Sequence, residues 1–447
     1  MLSLTALTAI SIFCVALFFI VYEKVDKAIV AIIGAALMIF GGILSYEEAI
    51  ASVNMETIML LTGMMIILEI FVQSQIFAWV NTKIVAVTKA NPLKLFVLLM
   101  LMTFFFSTIL DNVTVVLIVI PVTILLTRGM GLDSKLFVIA ETMFSDIGGA
   151  LTYIGDPANI LIGSQAGLSF NDFIVNLWIP IFSIVIIILS LFIILYWKKI
   201  RPIDDDMSKL FISYLLIGKI RYQFSRKLLK KSFIIPTLII FGLMIAAFVL
   251  EKPLGLPPIG VIALFSAMLL LVFTYKHINF HSVLYKVEWA TLFFFAGLFI
   301  MAHGLETTGV LDSLAHTLTA MTSEYSYLLL VIVWATALVS MLINNIPFVT
   351  IMIPVVKEIQ AALPATMPPE ALAFMPDMML MWWALSLGTV IGGNATPIGS
   401  SANVVAVGLA AKGDVRISFF EFFKLAFPMT MISLIIISAY LLFRVYF

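Results

Sequence analysis

The chain has 447 residues, 63% of them apolar and only 11% charged, with 25 Lys plus Arg against 25 Asp plus Glu. Soluble domains carry charge on about a quarter of their residues, so this composition excludes a soluble protein and describes a polytopic membrane protein. One cysteine, Cys14, excludes an internal disulfide or a thiolate metal site within one chain, and without a Walker A loop any pumping must draw on an ion gradient or a separate ATPase partner.

The expected fold is all-α, because apolar runs of about 20 residues suit helices crossing a ~30 Å hydrocarbon core and not the short alternating strands of a barrel. Leu2 to Val21 lacks a charged leader and a small-residue cleavage site, so residues 1–23 are expected to form an extra N-terminal span and not a cleaved signal. A first half over about 24–197 then holds spans near 26–44 and 56–73. Its next apolar segment, 94–127, is too long for one crossing and carries Asp111-Asn112 at mid-length. Two half-length arms meeting at that polar tip, a re-entrant helical hairpin, are expected there. In 135–165, Gly148-Gly149 and Ile154-Gly155 interrupt a helix that restarts at Ala158-Asn159, the pattern of a broken transmembrane helix. A further span covers 170–197.

The linker from 198 to 232 holds ten Lys/Arg and is expected on the cytoplasmic side. Within it, Met207 to Ser232 mixes Leu, Ile, Phe and Tyr with Lys and Arg, which suits an amphipathic helix lying on lipid headgroups. The second half, 233–447, repeats the plan: spans near 233–250, 257–275 and 288–304, a hairpin over 326–363 with Asn344-Asn345 at its middle, a broken helix over 377–411 and a last span at 417–446.

The repeat is visible residue by residue. Ser107 to Pro121 aligns without gaps on Ser340 to Pro354 with six identities in fifteen, and Gly148 to Asn159 on Gly392 to Asn403 with seven in twelve. Val53 to Gly63 resembles Val287 to Gly297 at a shift of 234, against 233 for the hairpin tips and 244 for the broken helices. Counting crossings outward from the basic linker places 22 of the 25 Lys/Arg on one face, makes the two halves run in opposite directions and puts both termini outside. Polar, interrupted segments at matching places in two halves are the best sequence pointer to a transporter's binding site.

The candidate site follows from those segments. Ser107, Asp111, Asn112 and Thr114 form one tip cluster; Ser340, Asn344, Asn345 and Thr350 form the other, with Pro347 freeing a carbonyl nearby. Thr152, Gly155, Asp156 and Asn159 are expected to face Thr396, Gly399, Ser400, Ser401 and Asn403 across the pseudo-symmetry axis. Asn amides, hydroxyls and freed carbonyls are hard oxygen ligands that suit sodium at the Asn-bearing tips. The symmetry breaks in charge: Asp111 corresponds to Asn344, and Asp156 to Ser400. Carboxylates at mid-bilayer mark ion or proton paths, so Asp111 and Asp156 are expected to bind the coupling proton or sodium. Glu69 and His303, opposite each other under the shift of 234, are further candidate relays, and Glu141 and Asp146 precede the unwound helix as a candidate carboxylate path toward Asp156. No nucleophile–base pair or HExxH motif points to an enzyme, and no cofactor or nucleic-acid partner is expected.

Asp111-Asn-Val-Thr114, Ile154-Gly-Asp-Pro-Ala-Asn159, Asn344-Asn-Ile-Pro347 and Gly392 to Asn403 together resemble the ArsB/NhaD branch of the ion transporter superfamily, which holds arsenical pump membrane proteins, NhaD-type sodium/proton antiporters and the P protein. The resemblance covers nearly the whole chain. It implies inverted repeats with opposed hairpins, a scaffold domain that forms a homodimer and a transport domain that shifts in an elevator-like motion at the plasma (inner) membrane. For substrate it implies proton-coupled efflux of arsenite or antimonite first, which without cysteine would rely on Asn, Thr and Ser. Sodium/proton antiport comes second, small organic anions third since no basic residue stands at the four motifs, and a channel last.

Overall fold

The computed structural model describes residues 3–22, 24–74, 76, 80, 83–84, 87–88, 91–200, 231–311, 313, 324–366 and 377–446. Among them there are nineteen helices and no strands. In the first half these are α1 (Leu4–Tyr22), α2 (Lys27–Phe40), α3 (Tyr46–Ala51), α4 (Met55–Ser74), α5 (Pro92–Ser107), α6 (Asn112–Gly129), α7 (Ser134–Gly149), α8 (Pro157–Ala166), α9 (Phe170–Leu195) and α10 (Trp197–Ile200). The second half has α11 (Lys231–Leu254), α12 (Ile259–Thr274), α13 (Phe280–Tyr285), α14 (Trp289–Thr307), α15 (Tyr325–Leu342), α16 (Asn345–Thr366), α17 (Leu380–Gly393), α18 (Ser401–Lys412) and α19 (Phe419–Tyr446). Eight of them are long and apolar enough to cross a membrane. Local sequence sets the helix starts: Ser45 with Glu48 and Ser169 with Asp172 form capping boxes for α3 and α9, and Asn91-Pro92 opens α5, each satisfying backbone N–H groups that a helix leaves without partners.

Apolar side chains point outward as well as inward. Ile186 on α9, Leu243 on α11 and Phe265 on α12 are 64%, 63% and 66% exposed, the face a bilayer covers. The centre belongs to α7 and α17: every residue of α17 is buried, and every residue of α7 except Lys135. A helix buried all round belongs at the heart of a bundle.

The two halves interlock by exchange. Helix α2 packs on α14 of the other half, and α4 on α12. At both crossings a glycine meets the partner backbone: a Cβ on Gly63 would lie 2.6 Å from the Ala263 carbonyl carbon, and one on Gly297 2.6 Å from that of Ala31. Close backbone approach of this kind drives helix association in lipid, where apolar burial alone gives little. The central bundle does the same, with α18 packed on α6 and α8 on α16, so each helix restart lies against the other half's hairpin.

The hairpin arms divide each of the two long apolar segments roughly in half. They run 16 and 18 residues in α5 and α6 and 18 and 22 in α15 and α16, roughly 24–33 Å at 1.5 Å per residue. The broken helices are α7 with α8 and α17 with α18. The amphipathic stretch expected within the linker lies outside the described residues, apart from Lys231 and Ser232 at the start of α11.

Ion pairs tie the chain ends together by face. Lys135 pairs with Glu421, Lys199 with Asp133 at 2.6 Å and Arg128 with Asp414 at 4.0 Å, all between segments expected inside. Lys252 pairs with Asp172 at 2.8 Å and Arg444 with Asp377 at 3.2 Å, all between segments expected outside.

Candidate functional site

The first hairpin turns at Thr108 to Asp111, and the turn is built from its own side chains. Asp111 caps α6, its Oδ2 accepting from the Thr114 N–H at 3.0 Å and from the Thr114 hydroxyl at 3.2 Å. Asn112, the first residue of α6, points into the protein. Its Nδ2 donates to Asp146 Oδ1 at 2.8 Å and to Asp156 Oδ2 at 2.9 Å, so one amide group bridges two carboxylates. Asp156 caps α8 through Oδ1, which accepts from the Ala158 N–H at 2.8 Å, and the second tip's Asn345 reaches the same oxygen at 3.4 Å. Ser400, which caps α18, donates to Asp146 Oδ1 at 3.1 Å. The other Asp146 oxygen, Oδ2, is buried without a hydrogen-bond partner. Asn112, Asp146, Asp156, Asn345 and Ser400 are all at most 4% exposed.

Above this acidic centre lies a cavity of about 530 Å³. Asp111, Asn112, Thr114, Asp156, Asn345, Ser400 and Ser401 line it together with Glu69, Lys27, Lys286 and Glu288. Asp146 stands one layer behind the wall, reached through Asn112. The arrangement presents carboxylate oxygens, amides and hydroxyls from both halves to one space, the donor set that hard cations and protons use.

The other residues singled out in the sequence hold the centre in shape. Thr152 and Thr396 each donate to a carbonyl of the adjacent hairpin, Thr108 O and Met341 O, both at 2.6 Å. Asn159 Nδ2 gathers the carbonyls of Gly149, Ala150 and Thr152 at the end of α7. Asn403 does the same for Gly393 and Thr396 at the end of α17. Gly155 and Gly399 lie so close to the Ser107 and Ser340 carbonyls that a Cβ on either would sit 2.7 Å away. Ser107 is within 3.3 Å of Ser145, Ser340 donates to Thr389 O at 2.7 Å, and Asn344 to Ser401 at 2.9 Å. The same clasp is thus built twice.

Three expectations change with the geometry, those for Thr350, Glu141 and Pro347. Glu69, which corresponds to His303 under the shift of 234, accepts from Lys286 Nζ and Gln73 Nε2, both at 2.6 Å, in the cavity wall. His303 pairs with Glu306 at 3.1 Å and lines a second cavity, as does Thr350, which donates to Ile346 O and stays out of the tip cluster. The shift of 234 relates these positions by symmetry and not by contact. Glu141 is buried off the cavity, its Oε1 accepting from Thr103 at 3.3 Å and Thr123 at 3.0 Å, so its hydrogen bonds run along the hairpin and not to Asp146. Pro347 frees no interior carbonyl, because it sits in the first turn of α16, where an N–H has no intrahelical partner. Lys27 and Lys286, remote from all four motifs in sequence, enter the cavity through the exchange of helices between halves.

Residues 17–388 match the model of a family described as citrate transporter, CitMHS. A protein named an uncharacterized transporter from Mycobacterium tuberculosis is 34% identical over 98% of this chain and 99% of its own length. The P protein of Mus musculus is 31% identical over 95% of this chain, which spans 58% of that longer protein. Among solved structures, Neisseria gonorrhoeae MtrF, described as illuminating a class of antimetabolite efflux pumps, superposes with a TM-score of 0.60 over 100% of this chain and 96% of its own at 11% identity, a likeness of fold alone.

Proposed function

This chain belongs to the citrate transporter family and is a secondary transporter, and we propose that it exchanges sodium for protons at the Asp146–Asp156 centre. The observation that carries the reading is the Asn112 amide bridging two buried carboxylates. Two negative charges at mid-membrane need a neutralising partner, since even one costs several kcal/mol there. Lys286 does not supply it, being paired with Glu69. A mobile sodium ion or proton does, and both compete for the same oxygens. The N-terminal end of α8 adds partial positive charge beside Asp156, and Asp111 adds its carboxylate to the cavity wall.

The arsenite efflux placed first by resemblance needs free donors for a neutral trihydroxide. Here both Asn112 N–H groups face carboxylates and the Thr114 hydroxyl donates to Asp111, so sodium/proton exchange moves ahead of it. The cavity opens beside Lys27 and Lys286, on the face the positive-inside rule makes cytoplasmic; the state described is then inward-open. The test is everted vesicles or proteoliposomes with a pH-sensitive dye. Sodium is expected to collapse a preformed proton gradient, and Asp156→Asn, which keeps the cap but removes the charge, to reduce that response at least tenfold. Arsenite accumulation without a sodium response would overturn the exchange reading in favour of metalloid efflux.

A further inference from the structure

The second cavity, about 290 Å³, is the first cavity's symmetry mate. Under the shift of 234, Glu69, Val72 and Met65 of the first cavity become His303, Glu306 and Phe299 of the second, and Lys286 and Glu288 become Ser52 and Asn54. Under the shifts of 233 and 244, Leu117 becomes Thr350 and Val405 becomes Leu161. Adding Leu68 with Ala302, eight of the twelve residues lining the smaller cavity have their repeat-related residue in the larger one. Unrelated surface hollows have no reason to obey three different sequence shifts at once.

The two cavities lie at opposite ends of the same helices. Helix α4 begins just after Asn54, beside the second cavity, and carries Glu69 and Val72 into the first; α14 begins after Glu288 in the first and carries His303 and Glu306 into the second. Twenty residues of α4 put these ends roughly 30 Å apart, a hydrocarbon thickness. Yet the barrier between the cavities is thin near the acidic centre. Ile160 lines one cavity and the next residue, Leu161, the other; Ile346 lines one and Thr350, four residues or about 6 Å on, the other.

We propose that the second cavity is the collapsed access vestibule from the opposite face, and that it opens when the two halves exchange conformations around the Asp146–Asp156 centre. The asymmetry between the mates gives it its chemistry. The Glu69–Lys286 ion pair of the first vestibule has no counterpart, since Ser52 stands in the Lys286 position; Glu306, paired with His303, supplies the acid, with Asn54, Gln165 and Thr350 as neutral polar groups. Lys357, donating to Gln165 at 3.1 Å, stands beside it. Such a wall suits a small hydrated cation. The proposal rests on the transport function and not on sodium as the cargo.

Cys14 is the one cysteine, so a Cys14→Ser background makes single cysteines readable with a membrane-impermeant maleimide in vesicles of both orientations. Leu117→Cys is expected to label from the face of Lys27 and Lys286, and exposed Glu306→Cys from the other face. Buried Thr350→Cys is expected to label from the Glu306 face and only during turnover, at least fivefold faster with a driving gradient than without. Labelling of Thr350→Cys from the same face as Leu117→Cys, or at a rate indifferent to every gradient, would overturn the proposal. Sidedness as expected, with a response to another solute but not to sodium or protons, would uphold the vestibule and remove the proposed cargo.

Discussion

Asp146 and Asp111 show how differently two carboxylates of one half are used. Asp111 sits at the cavity wall as a helix cap, and asparagine caps nearly as well as aspartate. Asp111→Asn should therefore fold normally and weaken cation affinity about tenfold, or ~1.4 kcal/mol by the usual conversion. Asp146→Asn keeps an acceptor for Asn112 and Ser400 but places an amide where Oδ2 is buried without a partner. It should abolish sodium-driven proton movement and cost about 1–3 kcal/mol of stability. Sodium titrations of dye dequenching, with melting curves in detergent, measure both; equal effects from the two substitutions would mean that the layer behind the wall has no separate role. Asp111 and Asp156 stood out in the sequence because the repeat sets them against Asn344 and Ser400. Asp146 drew notice only as a step on a carboxylate path from Glu141, because its counterpart at the shift of 244 is Val390 and it lies in the unbroken first arm of its helix. Its contact with Asn112, across 34 residues, gives it a central part instead.

At the scale of elements, the duplicated glycines serve close approach more than flexibility. The break between α7 and α8 folds back so that Gly149 and Gly155 touch each other's backbone, with the Ser107 carbonyl 2.7 Å from any Cβ on Gly155. Gly155→Ala must push the first hairpin away from the broken helix, and overpacking of this kind costs typically 1–3 kcal/mol. Since α6 carries Asn112, the shift should also disturb the carboxylate bridge. Thr152→Val removes only the clasp to Thr108 O, about 1 kcal/mol, and should leave exchange within twofold of the parent. Thermal unfolding beside transport assays distinguishes them: Gly155→Ala with a parental melting temperature and parental flux would show that the approach is not tight. The sequence marked these segments as breaks, but the three carbonyls gathered by Asn159 could not be read from spacing. They belong to a turn whose path only the packed hairpin defines.

The whole molecule is held together by exchange between halves, and this has a consequence for how it assembles. Neither half packs mainly on itself: α2 lies on α14, α4 on α12, α6 on α18 and α8 on α16, and the acidic centre takes Asn112, Asp146 and Asp156 from one half and Asn345 and Ser400 from the other. The all-helical membrane fold was legible in composition, and the matched motifs of the two halves in alignment. The exchange was not, because an alignment says which residues are equivalent and nothing about which copy they touch. A half expressed alone would leave the glycine faces at Gly63 or Gly297 without the backbones they approach, and Asp146 without Ser400. Cutting the chain between 201 and 230, outside every contact named above, should therefore be tolerated when both fragments are made together. The fragments are expected to co-purify and to recover at least half of the parental exchange rate, while either alone aggregates on extraction. A first-half fragment that extracts as a monodisperse species and binds sodium alone would show that the halves are self-sufficient, and the exchanged packing would then have no part in building the site.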